Sequence, residues 1–348
     1  MDVEALLTDL GAVLEGGGVA HFGDAREEAA VAARGDRALL VPLSGVTPLR
    51  VTGADRASFL HGQLSNRVEG LAPGACNRTL QLDARGRVVG EGMLFVRERD
   101  LFLAVDDGRG SKVLASLERH VVFDDVVLED LRGALAALTL QGDGAEAVLG
   151  RALGAAPAAG KFARHLVGDA EVLVAARRRS RSGGFDLHLL ARQLPEVVGA
   201  LQRAGAKLAG ERALTLARVL AGVPSVEDEG AAGSLPQELG LQDALSLDKG
   251  CYLGQEIMAR IDARGNVRKG LARLRLEGDP EALAALAAGD ERALRAGDRE
   301  VGRLGTVVQE PHGSWRALAV VRRDHPADVA LTLGDVRAWF DPVEAASA

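Results

Sequence analysis

The chain has 348 residues, of which 47% are hydrophobic and 26% charged, and its formal net charge is −7. That length is too great for one ordinary core, so two or three domains of a soluble globular protein are expected. The acidic balance provides no overall field toward nucleic acid or an anionic membrane surface, so no direct contact with either is expected.

No apolar run approaches the ~20 residues of a membrane span. The start, Met1-Asp2-Val3-Glu4, lacks the basic opening of a signal peptide, so a cytoplasmic protein is expected. Two Cys far apart, Cys76 and Cys251, exclude a disulfide scaffold, and the seven His show no metal-ligand spacing; no structural metal is expected. Arg outnumbers Lys 37 to five, interleaved with carboxylates, and the run Arg177-Arg178-Arg179-Ser180-Arg181 is expected to be a solvated loop.

Residues 2–15 place Val3, Leu6, Leu7, Leu10, Val13 and Leu14 at helical spacing, stopped by Gly16-Gly17-Gly18. A loop rich in charge and Ala follows, then short extended pieces over 41–51 and a helix over 55–64. Two strands, 77–82 and 88–97, flank Asp83-Ala84-Arg85-Gly86-Arg87, a hairpin whose Gly86 supplies the turn. A strand over 101–105 and a helix over 110–120 complete an α+β unit.

A second such unit reads as a strand over 134–140, a helix over 145–153 and a small-residue connector over 155–160. A hairpin of 172–176 with 185–190 and helices over 195–204 and 211–221 close it. The segment 222–249 has little periodicity and carries Pro224, Pro236 and the acidic Glu227-Asp228-Glu229. Such a long irregular loop is functional or disordered, and its place just before the cysteine motif at 249–256 favours function. Beyond Val267 the strand-like runs 271–276, 301–308, 317–321 and 335–340, with one Ala-rich helix over 280–288, indicate a small β-barrel or sandwich.

Between these lies Lys249-Gly250-Cys251-Tyr252-Leu253-Gly254-Gln255-Glu256, continuing to Arg260 and holding the only Tyr of the chain. Two glycines bracket the thiol and the ring, which indicates a turn that sets side chains against something. A cation two residues before Cys251 would favour its thiolate if the two side chains converge, and a helix starting near Gln255 would act in the same direction. A turn with a buried, inert Cys is the alternative.

This motif, together with Arg218-Val219-Leu220-Ala221-Gly222-Val223-Pro224, Pro236-Gln237-Glu238-Leu239 and the pattern Gly53-Ala54-Asp55, Phe59-Leu60, Gln63-Leu64-Ser65-Asn66 and Leu82-Asp83 to Gly86-Arg87, resembles the YgfZ family of folate-binding proteins. These are relatives of the glycine cleavage T protein, an aminomethyltransferase. The resemblance spans about residues 40 to 275 and thins in the C-terminal part.

It implies three domains around a central channel: two α+β, ferredoxin-like units and a C-terminal β-barrel. The boundaries expected are 45–131 for an inserted unit, 1–44 with 132–245 for the second, 246–266 for the motif-bearing connection and 267–348 for the barrel. It implies tetrahydrofolate or a derivative as cofactor, and iron–sulfur client or assembly proteins, including tRNA-modifying enzymes, as partners. Gln81, Asp83, Arg87, Glu238 and Arg260 would wall the folate site with Tyr252, Gln255 and Glu256 of the motif, while Cys251 and Lys249 would carry the chemistry.

A carboxylate such as Glu238 suits the donor-rich pterin edge, and Arg suits the glutamate tail. Where the aminomethyltransferases carry an Asp pair, this chain has Gly90-Glu91; glycine has no side chain for acid–base work, so glycine-cleavage activity is not expected. The alternatives are a folate-dependent aminomethyl- or methyltransferase using Glu238 or Glu91, and an interaction scaffold with a vestigial folate site.

Overall fold

The computed structural model of the protein describes residues 3–341 except 107, 232, 266, 290 and 291. It is a mixed α+β structure with a five-stranded sheet, a six-stranded sheet and a closed six-stranded barrel. The five-stranded sheet runs in the order Cys76–Leu82, Val88–Val96, Leu101–Val105, Thr47–Thr52, Val127–Asp130. The six-stranded sheet begins with Phe162–Val167, Ala170–Ala176 and Gly184–Leu190, then adds Leu135–Gln141, Leu39–Pro42 and Lys207–Leu208. The chain leaves this sheet at Pro42 and rejoins it at Leu135, so every strand of the five-stranded sheet lies within the excursion.

Strand alternation sorts the residues of these sheets. On the strands Val88–Val96 and Leu101–Val105, Leu94, Val96, Leu101, Leu103 and Val105 face the helices Arg56–Gln63 and Gly110–Glu118. Met93, Phe95, Phe102 and Ala104 face the other way and pack on Phe162, Leu173 and Ala175 of the six-stranded sheet. Both faces are therefore dry, which explains the nearly continuous apolar runs in these strands. Edge hydrogen bonds hold the two sheets together, from Cys76 N to Gly160 O at 3.0 Å and from Phe162 N to Gly74 O at 3.1 Å.

The layer between the sheets is apolar at one end and ionic at the other. His188 stacks edge-on to Phe95 and Phe102, each at 5.2 Å. Beyond it, Arg177 bonds both Glu91 and Asp106 (2.7 Å to the latter), and Arg179 joins Asp106 (2.6 Å) to Asp186 (2.7 Å). The arginine run is thus solvated only in part: Arg178 and Arg181 are exposed, but Arg177 and Arg179 are not. Arg177 and Arg179 continue strand Ala170–Ala176 inward, where carboxylates of both sheets compensate their desolvation.

Burial pushes the His188 imidazole down to about 4 from its ordinary 6.5, against the pull of Asp186 and Asp106. The unfolded chain takes up this proton near 6.5 and the folded chain only near 4. Stability is therefore full above pH 6.5 and falls as pH drops toward 4, by ~3 kcal/mol in total. Thermal midpoints measured over that range should show this slope in the parent and a flatter one in His188→Phe; equal slopes would contradict it.

Several elements differ from the sequence expectation, among them the following three. The helix read over 2–15 is Val3–Asp9, ended by Gly11 at φ +91; Val13–Glu15 is a strand paired with Gly18–His21, and Met1 and Asp2 lie outside the described residues. That helix packs through Leu7 on the core of the six-stranded sheet. The stretch read as a charged, Ala-rich loop contains the helix Ala25–Arg34, capped by Asp24, which accepts from Arg26 N at 2.8 Å. Its buried face is only Glu28, Val31 and Ala32, too short a stripe to stand out as periodicity. The strand Phe162–Val167 was missed because its residues alternate half-exposed on a sheet edge.

The barrel closes through Lys269–Glu277, Trp315–Arg322, Arg299–Gln309, Ala293–Ala296, Leu331–Leu333 and Val336–Phe340; the tail 342–348 lies outside the described residues. The acidic stretch of 222–249 ties it down. Glu229 is buried, accepting from Arg218 Nη1 (2.8 Å), Ser225 N (2.7 Å) and Thr306 N of the barrel (2.8 Å). No helix among the described residues is long and apolar enough to cross a membrane.

Candidate functional site

The cysteine motif is a turn fastened at both ends. Gly250 at φ +95 and Gly254 at φ +85 supply the two left-handed positions that other residues adopt only with strain, and the helix Gln255–Arg264 begins immediately after. Tyr252 N donates to Gln255 Oε1 at 3.1 Å, and Leu253 N donates to Gly62 O at 3.1 Å. Tyr252 is buried in a cluster with Leu80, Leu82, Leu239, Met258 and Val320, where three parts of the fold meet, and its hydroxyl has no partner. Cys251, at the apex, is exposed, with Gln255 Nε2 at 3.5 Å from its sulfur.

Lys249 does not turn to the thiol. Its ammonium donates to the carbonyls of His61, Leu64 (2.7 Å) and Asn66 (3.1 Å), lies 4.9 Å from the Tyr252 ring centroid, and is buried. An ammonium has three donors, so its hydrogen-bonding capacity is taken up by the turn after helix Arg56–Gln63. His61 returns the clasp. Its Nδ1 accepts from Val68 N and Glu69 N, which leaves the proton on Nε2 to donate to Lys249 O at 2.8 Å. The expected cation beside Cys251 is thus a structural clamp, because the turn sends the two side chains to different partners.

The predicted walls converge in part. Asp83 Oδ1 accepts from Arg85 N and Arg87 N (2.8 and 2.9 Å), which makes it the internal brace of the hairpin. That hairpin lies against the motif: a Cβ on Gly254 would come within 2.7 Å of Asp83 O, and one on Gly86 within 2.8 Å of Met258 Cε. Arg87 is exposed and lies over Gly233.

Others are engaged locally. Glu238 Oε2 accepts from Leu235 N at 2.9 Å as the cap of the short helix Pro236–Leu239, and Arg260 pairs with Glu256 at 2.6 Å on an exposed helix face. Gln81 is buried on the helix side of its sheet, opposite Gly90, with its amide unpartnered.

Gly90 and Glu91 point to opposite faces. Helix residue Val113 fills the position that a Cβ on Gly90 would take. Glu91 faces the intersheet layer; burial alone would raise its pKa, but Arg177 and Arg78 reverse this and hold it at about 2. A carboxylate so held is no proton donor at neutral pH. Gly90→Asp should therefore destabilise the fold by ~3 kcal/mol or more, through overlap with Val113 and a buried charge. The urea midpoint should recover in part when Val113→Ala is added; an unchanged midpoint for the single variant would show that Val113 yields freely.

A cavity of about 280 Å³ lies between the sheets and was not anticipated. Arg78, Lys161, Arg177 and Arg178 line it against one carboxylate, Asp243, with Asn66 and Asn77 adding amides. Arg177 Nε and Nη1 and Asn77 Oδ1 are buried without partners. Arg78 Nη1 reaches both Asp243 oxygens at 3.0 Å. Cys76 also lines the cavity, but burial pushes its thiol up to about 11, only partly countered by Lys161, so it is protonated and unreactive.

Two family models match the chain: the GCVT N-terminal domain over residues 22–249, and the CAF17 C-terminal beta-barrel domain over 268–346. Relatives include the tRNA-modifying protein YgfZ of Edwardsiella ictaluri, 30% identical over 317 residues and covering 85% of this chain and 88% of that one. The protein of the same name from Sodalis glossinidius is 29% identical over 315 residues, with 85% and 88% covered. Among solved structures, the glycine cleavage system aminomethyltransferase T from Bartonella henselae has a TM-score of 0.77 at 16% identity, covering 96% of this chain and 94% of that one, which shows a common fold.

Proposed function

The chain belongs to the YgfZ family, built on a GCVT N-terminal domain and a CAF17-type barrel, and from that premise we propose that it is a tetrahydrofolate-binding accessory factor for iron–sulfur cluster assembly or repair, supporting tRNA-modifying enzymes. What carries this is the joining of an exposed thiol to a cationic cavity. Lys249 holds the carbonyl of Asn66, whose residue lines the cavity, while its own chain leads two residues on to Cys251.

The cavity residues fit the cofactor. Lys161, Arg177 and Arg178 suit the carboxylates of the glutamate tail, and Asn77, whose Oδ1 is unpartnered, suits the donor edge of the pterin. The unpartnered nitrogens of Arg177 are groups that a ligand would satisfy. Tetrahydrofolate, when bound, supplies a one-carbon carrier. Asp83, Arg87, Tyr252 and Gln255 then shape the approach to the thiol, and Glu238, Glu256 and Arg260 act in the local bonds described above.

Among the described residues no group of three or more His, Cys, Asp and Glu is arranged to hold a metal ion. Cys251 can give one thiolate, so any cluster it handles takes its other ligands from the client. In a bacterial strain lacking its own relative of this chain, expression of the protein should restore iron–sulfur-dependent tRNA modification, measured by mass spectrometry of nucleosides from hydrolysed tRNA. Normal expression without restoration would overturn this function.

A further inference from the structure

Helix Arg56–Gln63 grips the cysteine motif through two consecutive residues, one for each side of the thiol. On one side His61 Nε2 donates to Lys249 O at 2.8 Å; on the other, Gly62 O accepts from Leu253 N at 3.1 Å. Cys251 stands midway between these two held points of backbone. The hold on Leu253 is main chain to main chain. The hold on Lys249 O is made by a side chain, so it is the one that the sequence can set. Gly250, between Lys249 and the thiol, takes φ +95, and a Cβ there would meet nothing within 4 Å. No packing confines that glycine, and glycine has the most conformational freedom to lose, so its order comes from the bonds of its neighbours.

We infer that His61 is a positioning residue for the Cys251 thiol, acting through the peptide plane between Lys249 and Gly250. The inference rests on Cys251 being the working thiol. The Lys249 ammonium anchors its own side chain to the carbonyls of His61, Leu64 and Asn66, but those bonds leave the following peptide free to rotate. Rotation there would swing Gly250 and carry the sulfur away from Gln255 Nε2, 3.5 Å distant at the start of helix Gln255–Arg264. The donor on Lys249 O prevents it. The ring is itself oriented from behind: Val68 N (3.3 Å) and Glu69 N (3.0 Å) both donate to Nδ1, which makes Nε2 the protonated nitrogen. One loop thus fixes the tautomer and direction of the imidazole, and the imidazole fixes the turn that carries the thiol.

The test replaces His61 in the full chain in two complementary ways. In His61→Gln the side-chain amide reaches the place of Nε2 and still donates to Lys249 O, but nothing stands at Nδ1. In His61→Asn the amide oxygen stands at Nδ1 and accepts from the 68–69 backbone, but the donor to Lys249 O is gone. Amide hydrogen exchange, read by mass spectrometry, should separate the two. His61→Asn should speed exchange at Tyr252 and Leu253 ~5-fold or more, the worth of one hydrogen bond, and spare Val68 and Glu69. His61→Gln should do the reverse. Restoration of tRNA modification should fall ~5-fold or more in His61→Asn, in proportion to the opened turn, and persist in His61→Gln. Exchange needs neither folate nor client, so a parent that restores nothing would refute the thiol's role while the hold on the turn is still read. Equal opening of both regions by both variants would make the ring a structural element only and overturn the inference. So would an opened turn in His61→Asn with modification fully restored.

Discussion

Cys251→Ser is expected to abolish restoration of iron–sulfur-dependent tRNA modification while leaving the thermal midpoint and folate affinity unchanged. The side chain is exposed and its hydrogen-bonding neighbour is a single Gln255 amide at 3.5 Å, so exchanging sulfur for oxygen disturbs no packing. What is lost is the only property serine cannot supply, a soft nucleophilic and metal-ligating thiolate. Cys76→Ser is the control: its thiol is protonated and buried, and function should persist apart from a modest loss of stability. A Cys251→Ser chain that restores modification fully would reduce the motif to a turn that shapes the fold.

Arg177→Met should be the most destabilising of the single changes considered. It strips one of two guanidinium partners from Glu91, which is 3% exposed and keeps Arg78, and one of two from Asp106, which keeps Arg179. Breaking a buried pair on one side costs ~3–5 kcal/mol, because the remaining charge stays desolvated. Urea unfolding measures the loss. Adding Glu91→Gln should recover part of it, since the buried charge then left with a single compensating guanidinium disappears; a double variant no more stable than the single would assign the loss to packing instead.

Much of the architecture was legible because local chemistry and global fold agree in it. The hairpin at 83–87 follows from Gly86, the helix after Gly254 from the glycine-bracketed turn, and the barrel from its strand spacing. The cavity was not, because its residues come together only through pairings across the two sheets. Glu91 and Arg177 are 86 residues apart, and nothing local says that a run of arginines extends a buried strand instead of looping into water. Lys249 misled for the opposite reason. Two residues from Cys251 in sequence, it is turned away by Gly250 and claimed by carbonyls some 185 residues earlier. Sequence proximity across a glycine turn carries little information about side-chain direction.

The central claim is that the cationic intersheet cavity holds tetrahydrofolate, and anaerobic titration calorimetry with the reduced cofactor tests it most directly. Lys161 and Arg178 are exposed residues at the cavity wall, so replacing them leaves the core intact. The parent should bind one equivalent, and Lys161→Met/Arg178→Met should weaken binding ~10-fold or more, since two charge-assisted contacts to carboxylates are removed. Equal affinity in parent and variant, or no heat of binding from a folded parent, would contradict the account.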